Sequence, residues 1–549
     1  MLSGYRYELP TVRGLGEQRG IVRADWREDF GFGFGLDHQV ESPRMGRGLL
    51  KVYYNDEPNQ NEMPSALPKG ADGQRYRLLW RHKWHPLDDT TIVTDLQKYS
   101  DANYRKDFLF REEFSEEDVP ESFISLITNT PHYTLSGLIR KRVNRFQTVT
   151  EALPQVTVNV RPQRIGQTNL FSEALLDVGY FQSKTANSAL DAEAFRADWF
   201  QELSYAMPWL APLRVTPKAG VRQTYYSKDI GGVGREDNDH VLVGQFSGGI
   251  ESSLKLFRTY PMTTNWLGLD INQLRHVLTP TAEYTYIHEA TTPNTSLSFP
   301  AANLPEHELR IGLENKLQTK RVAADGTWHN VDLLRFLFAV PYQFHGAAHK
   351  RGGGLDDWEF DLELFPWPWL RVESDWMVDG RPNTWNFDVV ALGGGDGRRH
   401  PTEKPPKLRA PVPTGFDLGW GGSELLPARQ WALGWGHRYA HNDKSEDVVQ
   451  WDWRVGPKWQ FSTFHRFTWK EVTSAGKRNN FLREQQYAIR RDLHDWIMGL
   501  VVRHDRDFGD EVYVTATLKE FPALPVTLET AYREPKGDRE GVEASLASP

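Results

Sequence analysis

Two histidine pairs come closest to a metal site in this chain: His82 with His85, and His437 with His441. A catalytic zinc needs a third protein ligand, and neither pair has a convincing one nearby in sequence. Cysteine is absent, which excludes thiolate nucleophiles, cysteine metal sites and disulfide staples. Asp and Glu together number 73, so many acid–base pairs could be nominated and none stands out as a cluster. Gly31, Gly33 and Gly35 alternate with Phe30, Phe32, Phe34 and Leu36. No GK[ST] ending follows, so they read as a strand with one small face and not as a phosphate-cradling loop. Arg140, Arg142 and Arg145 gather basic charge, but flanking acids favour a solvated rim over an anion site. The residues point to no reaction, no metal and no cofactor; the chain reads as a non-enzyme.

The elements that carry these residues say more. EVYVTATLK puts Val512, Val514, Ala516 and Leu518 on one side and Tyr513, Thr515, Thr517 and Lys519 on the other. That period of two is a strand with one apolar and one wetter face. It recurs at Val156–Arg161, Ala282–His288, Leu370–Trp376, Trp385–Val389, Trp451–Val455 and Phe461–Trp469. The chain holds 20 Trp, 20 Tyr and 28 Phe, yet its mean hydropathy is -0.59. Heavy aromatic content in a hydrophilic chain fits a closed transmembrane sheet, apolar only where it meets lipid. No apolar run approaches the 18 or so residues of a membrane helix. A net charge of -8 gives no basic bias toward nucleic acid.

Strand candidates number about 22 to 26, with 26 the best fit, at roughly ten residues each plus turns. The expected fold is therefore all-β, a large closed antiparallel transmembrane β-barrel. Residues 1–19 read as a lead-in segment, 20–530 as the barrel and 531–549 as a polar tail. Polar connections such as Asn55–Gly73, Gln182–Phe195, Ser227–His240, Glu289–Glu308, Gly346–Asp357 and Gly393–Glu424 suggest long loops on one side and short turns on the other. Rings such as Trp199, Trp209, Trp367, Trp369, Trp451 and Trp469 fall near strand ends, as an aromatic girdle would.

Several blocks resemble one family. They are YELP (Tyr7–Pro10), LIRKRVNRFQTVTEALPQVTVNVRPQRIG (Leu138–Gly166), QLRHVLTPTAEYTYI (Gln273–Ile287) and LRIGLENKLQTKR (Leu309–Arg321) with VDLLRF (Val331–Phe336). QQYAIRRDLHDWIMGLVVR (Gln485–Arg503) and DEVYVTATLKEFPAL (Asp510–Leu524) follow near the end. In this order they resemble the C-terminal β-barrel domain of LptD, the lipopolysaccharide-assembly family of the outer membrane. The resemblance implies a barrel of about 26 strands in the cell outer membrane. It also implies lipopolysaccharide as cargo, an LptE-like lipoprotein plug in the lumen, and a periplasmic bridge that delivers through a jelly-roll domain. That jelly-roll is not recognisable here and is expected to be absent. The cysteines that tie jelly-roll to barrel in well-known members are missing as well. Divalent cations would be held only through the phosphates of lipopolysaccharide.

In that family lipid A is thought to leave through a seam between first and last strands. The expected seam sets Gly20, Ile21, Val22, Arg23, Ala24, Asp25 and Trp26 against Glu511, Val512, Tyr513, Val514, Thr515, Ala516, Thr517, Leu518 and Lys519. Pro10 and Pro43 are the nearest prolines. They read first as strand terminators and second as residues that loosen the seam by deleting ladder bonds. Two alternatives stay open: another outer-membrane channel or transporter without a lateral gate, and a secreted all-β protein that binds or acts on carbohydrate.

Overall fold

The computed structural model describes residues 2–12, 16–27, 31–56, 74–105, 120–186, 192–229, 238–291, 299, 304–322, 326–345, 352–379, 382–393, 430–456, 458–473, 476–494, 496–506, 509–518 and 525–532. Large parts of the expected polar connections, with Lys519 and residues 533–549 of the expected tail, lie outside them. Two compact units divide the chain: residues 1–251, 284–307 and 345–351 form one, and 252–283, 308–344 and 352–549 the other.

The first unit opens with β1 (Leu2–Val12), β2 (Gly16–Arg27), β3 (Gly31–Ser42), β4 (Gly46–Asp56), β5 (Gln74–Leu87) and β6 (Thr90–Tyr99). A short pair follows, β7 (Phe123–Asn129) and β8 (Tyr133–Arg140), and then β9 (Val149–Arg164), β10 (Leu170–Lys184), β11 (Ala192–Tyr205), β12 (Leu213–Asp229) and β13 (Asn238–Leu254). The second unit carries residues 252–254 of β13, β14 (Leu256–Thr264), most of β15 (Ile271–Ile287) and of β16 (Glu306–Val322), whose residues 284–287 and 306–307 belong to the first, and then β17 (Trp328–Gln343), β18 (Gly354–Leu355), β19 (Trp358–Trp367) and β20 (Leu370–Val378). It ends with β21 (Pro382–Gly393), β22 (Trp431–Ala440), β23 (Lys444–Val455), β24 (Trp459–Thr473), β25 (Gly476–Asp492), β26 (Trp496–Asp505), β27 (Gly509–Leu518) and β28 (Pro525–Tyr532).

The ladders are antiparallel and join sequence neighbours, the topology that short hairpins permit. Two interruptions hide longer strands. Ser252 Oγ donates to the Ala282 carbonyl and Leu256 pairs with Leu278, so the end of β13 and β14 run on as one strand along β15, interrupted at Lys255 and shifted in register between Tyr260 and Thr263. β18 and β19 both pair with β17, separated by Asp356 and Asp357. Counted this way, the 28 segments make an antiparallel sheet of 26 strands among the described residues.

Why the residues alternate is plain in β23. Asp452 is 0 % exposed, while its neighbours Trp451 and Trp453 are 45 % and 40 % exposed. In β3, Phe32 and Phe34 stand 62 % and 60 % exposed on one face. On the other face a Cβ at Gly33 would lie 2.1 Å from the Tyr53 hydroxyl and one at Gly35 2.7 Å from its ring. The glycines make room for that tyrosine, which bears out their reading as a small strand face. Many covered positions elsewhere are polar: Asn55, Arg75, Gln97, Asp198, Thr319, Gln450 and Thr468 are all buried, beside apolar residues such as Leu79, Phe181, Val390 and Phe464. This is the reverse of a soluble sheet, where exposed faces carry polar groups.

Three expectations need correction. Residues 1–19 are not a separate lead-in: Leu2–Val12 is a full strand paired along β2 from Leu2↔Asp25 to Val12↔Gly16. The expected 531–549 tail begins inside a strand, since Ala531 and Tyr532 end β28. Loop lengths also do not segregate cleanly. In an antiparallel ladder, the Gly393–Gln430 connection leaves from the same end as the tight turn between Trp367 and Leu370. It is nevertheless the longest gap between strands.

Candidate functional site

The expected seam residues do not lie at the edges. Gly20–Trp26 belongs to β2 and pairs on one side with β1 and on the other with β3, from Gly20↔His38 to Trp26↔Phe32. Glu511–Leu518 belongs to β27, whose two sides are taken by β26 and β28. A strand with both ladders filled has no N–H or C=O row left for a third, so these two segments do not pair with each other here. Among the described residues, the terminal strands ladder on one side only: β1 with β2 in the first unit and β28 with β27 in the second.

Both nominated prolines fall into place with that shift. Pro43 lies in the turn between Ser42 and Gly46, where no ladder bond exists to be deleted. Ser42 Oγ accepts from the backbone N–H groups of Arg44 and Met45, both at 3.3 Å, which is ordinary turn chemistry. Pro43 therefore ends a strand and loosens no seam. Pro10, in contrast, sits within β1, where the register shifts between Leu9 and Val12. A proline removes a donor, and edge strands and bulges are where sheets tolerate it.

The first unit buries polar networks beside an apolar cluster of Ala152, Phe181, Ala194, Tyr226, Val243 and Phe299. Arg75 donates to both oxygens of Asp101 at 2.9 Å, with only 1 % and 7 % of the two side chains exposed. The Tyr104 ring lies against the guanidinium of Arg75. β7 reaches β6 only from Thr90 to Asp95, which leaves the end of β6 without a strand partner on that side. Side chains supply the missing bonds. Ser122 Oγ accepts from Gln97 N–H at 3.0 Å, and Asn144 accepts from Tyr99 N–H and donates to the Gln97 carbonyl, both at 2.9 Å. In the second unit Arg335 donates to Glu314, Asp361 and Glu363 at 2.8–3.1 Å. It offsets a face where Asp361 lies opposite Asp375 and Glu363 opposite Glu373.

Three of the four nominated histidines bond other side chains. His85 bonds Thr91, His437 bonds Asp447 at 2.7 Å, and His441 bonds Tyr439. Among the described residues no group of three or more metal-ligating side chains is assembled. Arg140 donates to the Thr150 carbonyl and to Glu121, and Arg142 to the carbonyls of Gln147 and Thr185, so these two arginines bind the chain itself. Sequence reasoning missed the Arg75–Asp101 pair and the edges of β1 and β28. The first needed a register, and the others lay behind prolines.

The chain is thus an all-β antiparallel sheet with large apolar side chains exposed on one face and charged, hydrogen-bonded side chains covered on the other. Among the described residues no helix is long and apolar enough to cross a membrane. The family model of LptD, LPS transport system D, matches residues 73–305, from the start of β5 through β15 and the connection after it. The family resemblance holds there, including Leu138–Gly166 and Gln273–Ile287. The blocks from Leu309 onward lie beyond the match. The matched family is one of transport proteins, not enzymes. No curated protein matches the chain.

Proposed function

We propose that the sheet closes, β1 against β28, into an outer-membrane barrel that delivers lipopolysaccharide to the outer leaflet. The inverted faces carry this reading: exposed Trp, Phe and Leu beside buried Arg, Asp and Gln fit lipid outside and water inside. The match to an LPS transport family supplies the cargo. An open sheet edge is not tolerated in hydrocarbon, so the free sides of β1 and β28 must be satisfied, and each other is the nearest available answer in a meander. Moving a charged sugar through hydrocarbon is prohibitive. A wet lumen takes the head, and a parting seam lets the acyl chains stay in lipid.

The gated reading is favoured over a plain channel by the terminal strands. β1 carries Pro10 at a register shift, and β28 is only eight residues long, so the joint between them would hold few ladder bonds. A secreted carbohydrate-binding protein would not turn so many large rings outward. An LptE-like plug, a jelly-roll delivering from the periplasmic bridge, and divalent cations carried by the phosphates complete the proposed setting.

Because the chain lacks cysteine, introduced pairs report cleanly. Single cysteines in Leu2–Val12 and Pro525–Tyr532 would be combined and oxidised in the assembled translocon. Pairs that crosslink should stop lipopolysaccharide delivery, and reduction should restore it. Unchanged delivery through a fully crosslinked barrel would sink the lateral gate.

A further inference from the structure

On strands β2–β6 a solvent-open concavity of about 570 Å³, within the usual size of a ligand site, is lined by the exposed side chains of Arg19, Arg47, Arg81 and Lys83. The register builds it. Arg19 lies opposite Gln39, Gln39 opposite Leu49, Leu49 opposite Arg81, and Arg81 opposite Asp95. One pleat away, Glu41 lies opposite Arg47 and Arg47 opposite Lys83. Residues two apart on a strand share a face, so four cations converge on one surface. Two are already matched: Arg47 meets Glu41 at 2.6 Å and Arg81 meets Asp95 at 2.8 Å. Arg19 bonds only the neutral amide of Gln39, at 3.0 Å, and Lys83 forms no ion pair among the described residues. Glu17, at the start of β2, also lines the concavity.

We propose that this concavity is an anion site for a phosphate monoester borne on a sugar. Lys83 offers a point charge and Arg19 a planar fork, the pair of donors that phosphate recognition uses. Arg47 and Arg81 are held in place by carboxylates at the flanks. The site sits on the strands next to β1, so a headgroup bound here lies beside the strand proposed to open. Its lipid source rests on the translocon reading; its charge chemistry does not.

The test uses the purified full chain in detergent, with glucose 1-phosphate as probe, glucose and inorganic phosphate as comparisons, and lipopolysaccharide as competitor. Wild type should bind glucose 1-phosphate, fail to bind glucose, and weaken with salt. Arg19→Gln with Lys83→Gln should raise Kd at least tenfold. Glu41→Gln should lower Kd several-fold by freeing Arg47, a gain that a merely structural role would not produce. Absence of probe binding, or indifference to both variants, overturns the site. Displacement by lipopolysaccharide supports the headgroup assignment; displacement by inorganic phosphate but not by lipopolysaccharide overturns it. Lipopolysaccharide delivery, scored separately in proteoliposomes, can fail while probe binding persists. The translocon reading would then fall and the anion site stand.

Discussion

At the scale of single residues, the decisive pair is Arg75 with Asp101. Neither is remarkable in the sequence, and they stand 26 positions apart. The register explains them: Arg77 pairs with Tyr99, so one step outward Arg75 must face Asp101. Once the β5–β6 hairpin is known, the pair follows. Removing one partner strands the other charge in a buried, fork-bonded site. Asp101→Asn should therefore lower unfolding stability by about 3–5 kcal/mol, read from urea titration of the micelle-folded protein by tryptophan fluorescence. Replacing both, with Arg75→Met and Asp101→Leu, should recover most of the loss, because apolar groups of similar volume need no partner. Equal losses for the single and double variants would show that packing of the Arg75 stem, not charge, holds this corner.

At the scale of elements, hairpin ends decide where charges land. Gly46 opens β4 with φ at +78°, and a Cβ there would lie 2.1 Å from the Lys83 carbonyl oxygen. Gly46→Ala should cost at least about 1 kcal/mol for the left-handed backbone alone. The backbone clash adds to that and should disturb the β4–β5 ladder near Lys83. Met45→Ala, one residue earlier in the exposed turn, should be nearly neutral in the same titration; equal losses would refute the argument. Interior strands such as EVYVTATLK were legible because alternation survives wherever one face is apolar. The terminal strands were not. In β1 the proline of YELP reads as a stop, and β28 begins at the last proline of FPALP, which reads as loop. A proline argues against an interior strand, but at an edge it removes no essential bond. The rule that located the interior strands therefore hid the edge ones and moved the expected seam inward by one strand on each side. The short β7–β8 pair was itself legible as strands over 122–128 and 132–140, but how the sheet continues past its end was not. What replaces its missing ladder is the side chains of Ser122 and Asn144, and no periodicity announces them.

At the scale of the whole molecule, the two faces must obey opposite rules if lipid lies against one and water against the other. Leu500 tests this, set between Met498 and Val502 on the exposed face of β26. Leu500→Arg would place a charge in hydrocarbon and should cost about 2–4 kcal/mol if the site lies near mid-bilayer. Gln486→Glu adds a charge on the covered face of β25, opposite Arg503, and should be close to neutral. Folding into vesicles, followed by urea unfolding, compares the two directly. The same pair in a soluble sheet would behave differently, since an exposed Leu→Arg change normally falls within ±0.5 kcal/mol or so. The sign of the difference thus reports what lies against the aromatic face. A neutral Leu500→Arg would remove the membrane from the argument and with it the need for β1 and β28 to meet. A cost that grows as the substitution moves from Trp496 toward the middle of β26 would place hydrocarbon there and make the joint of the terminal strands a necessity of the solvent.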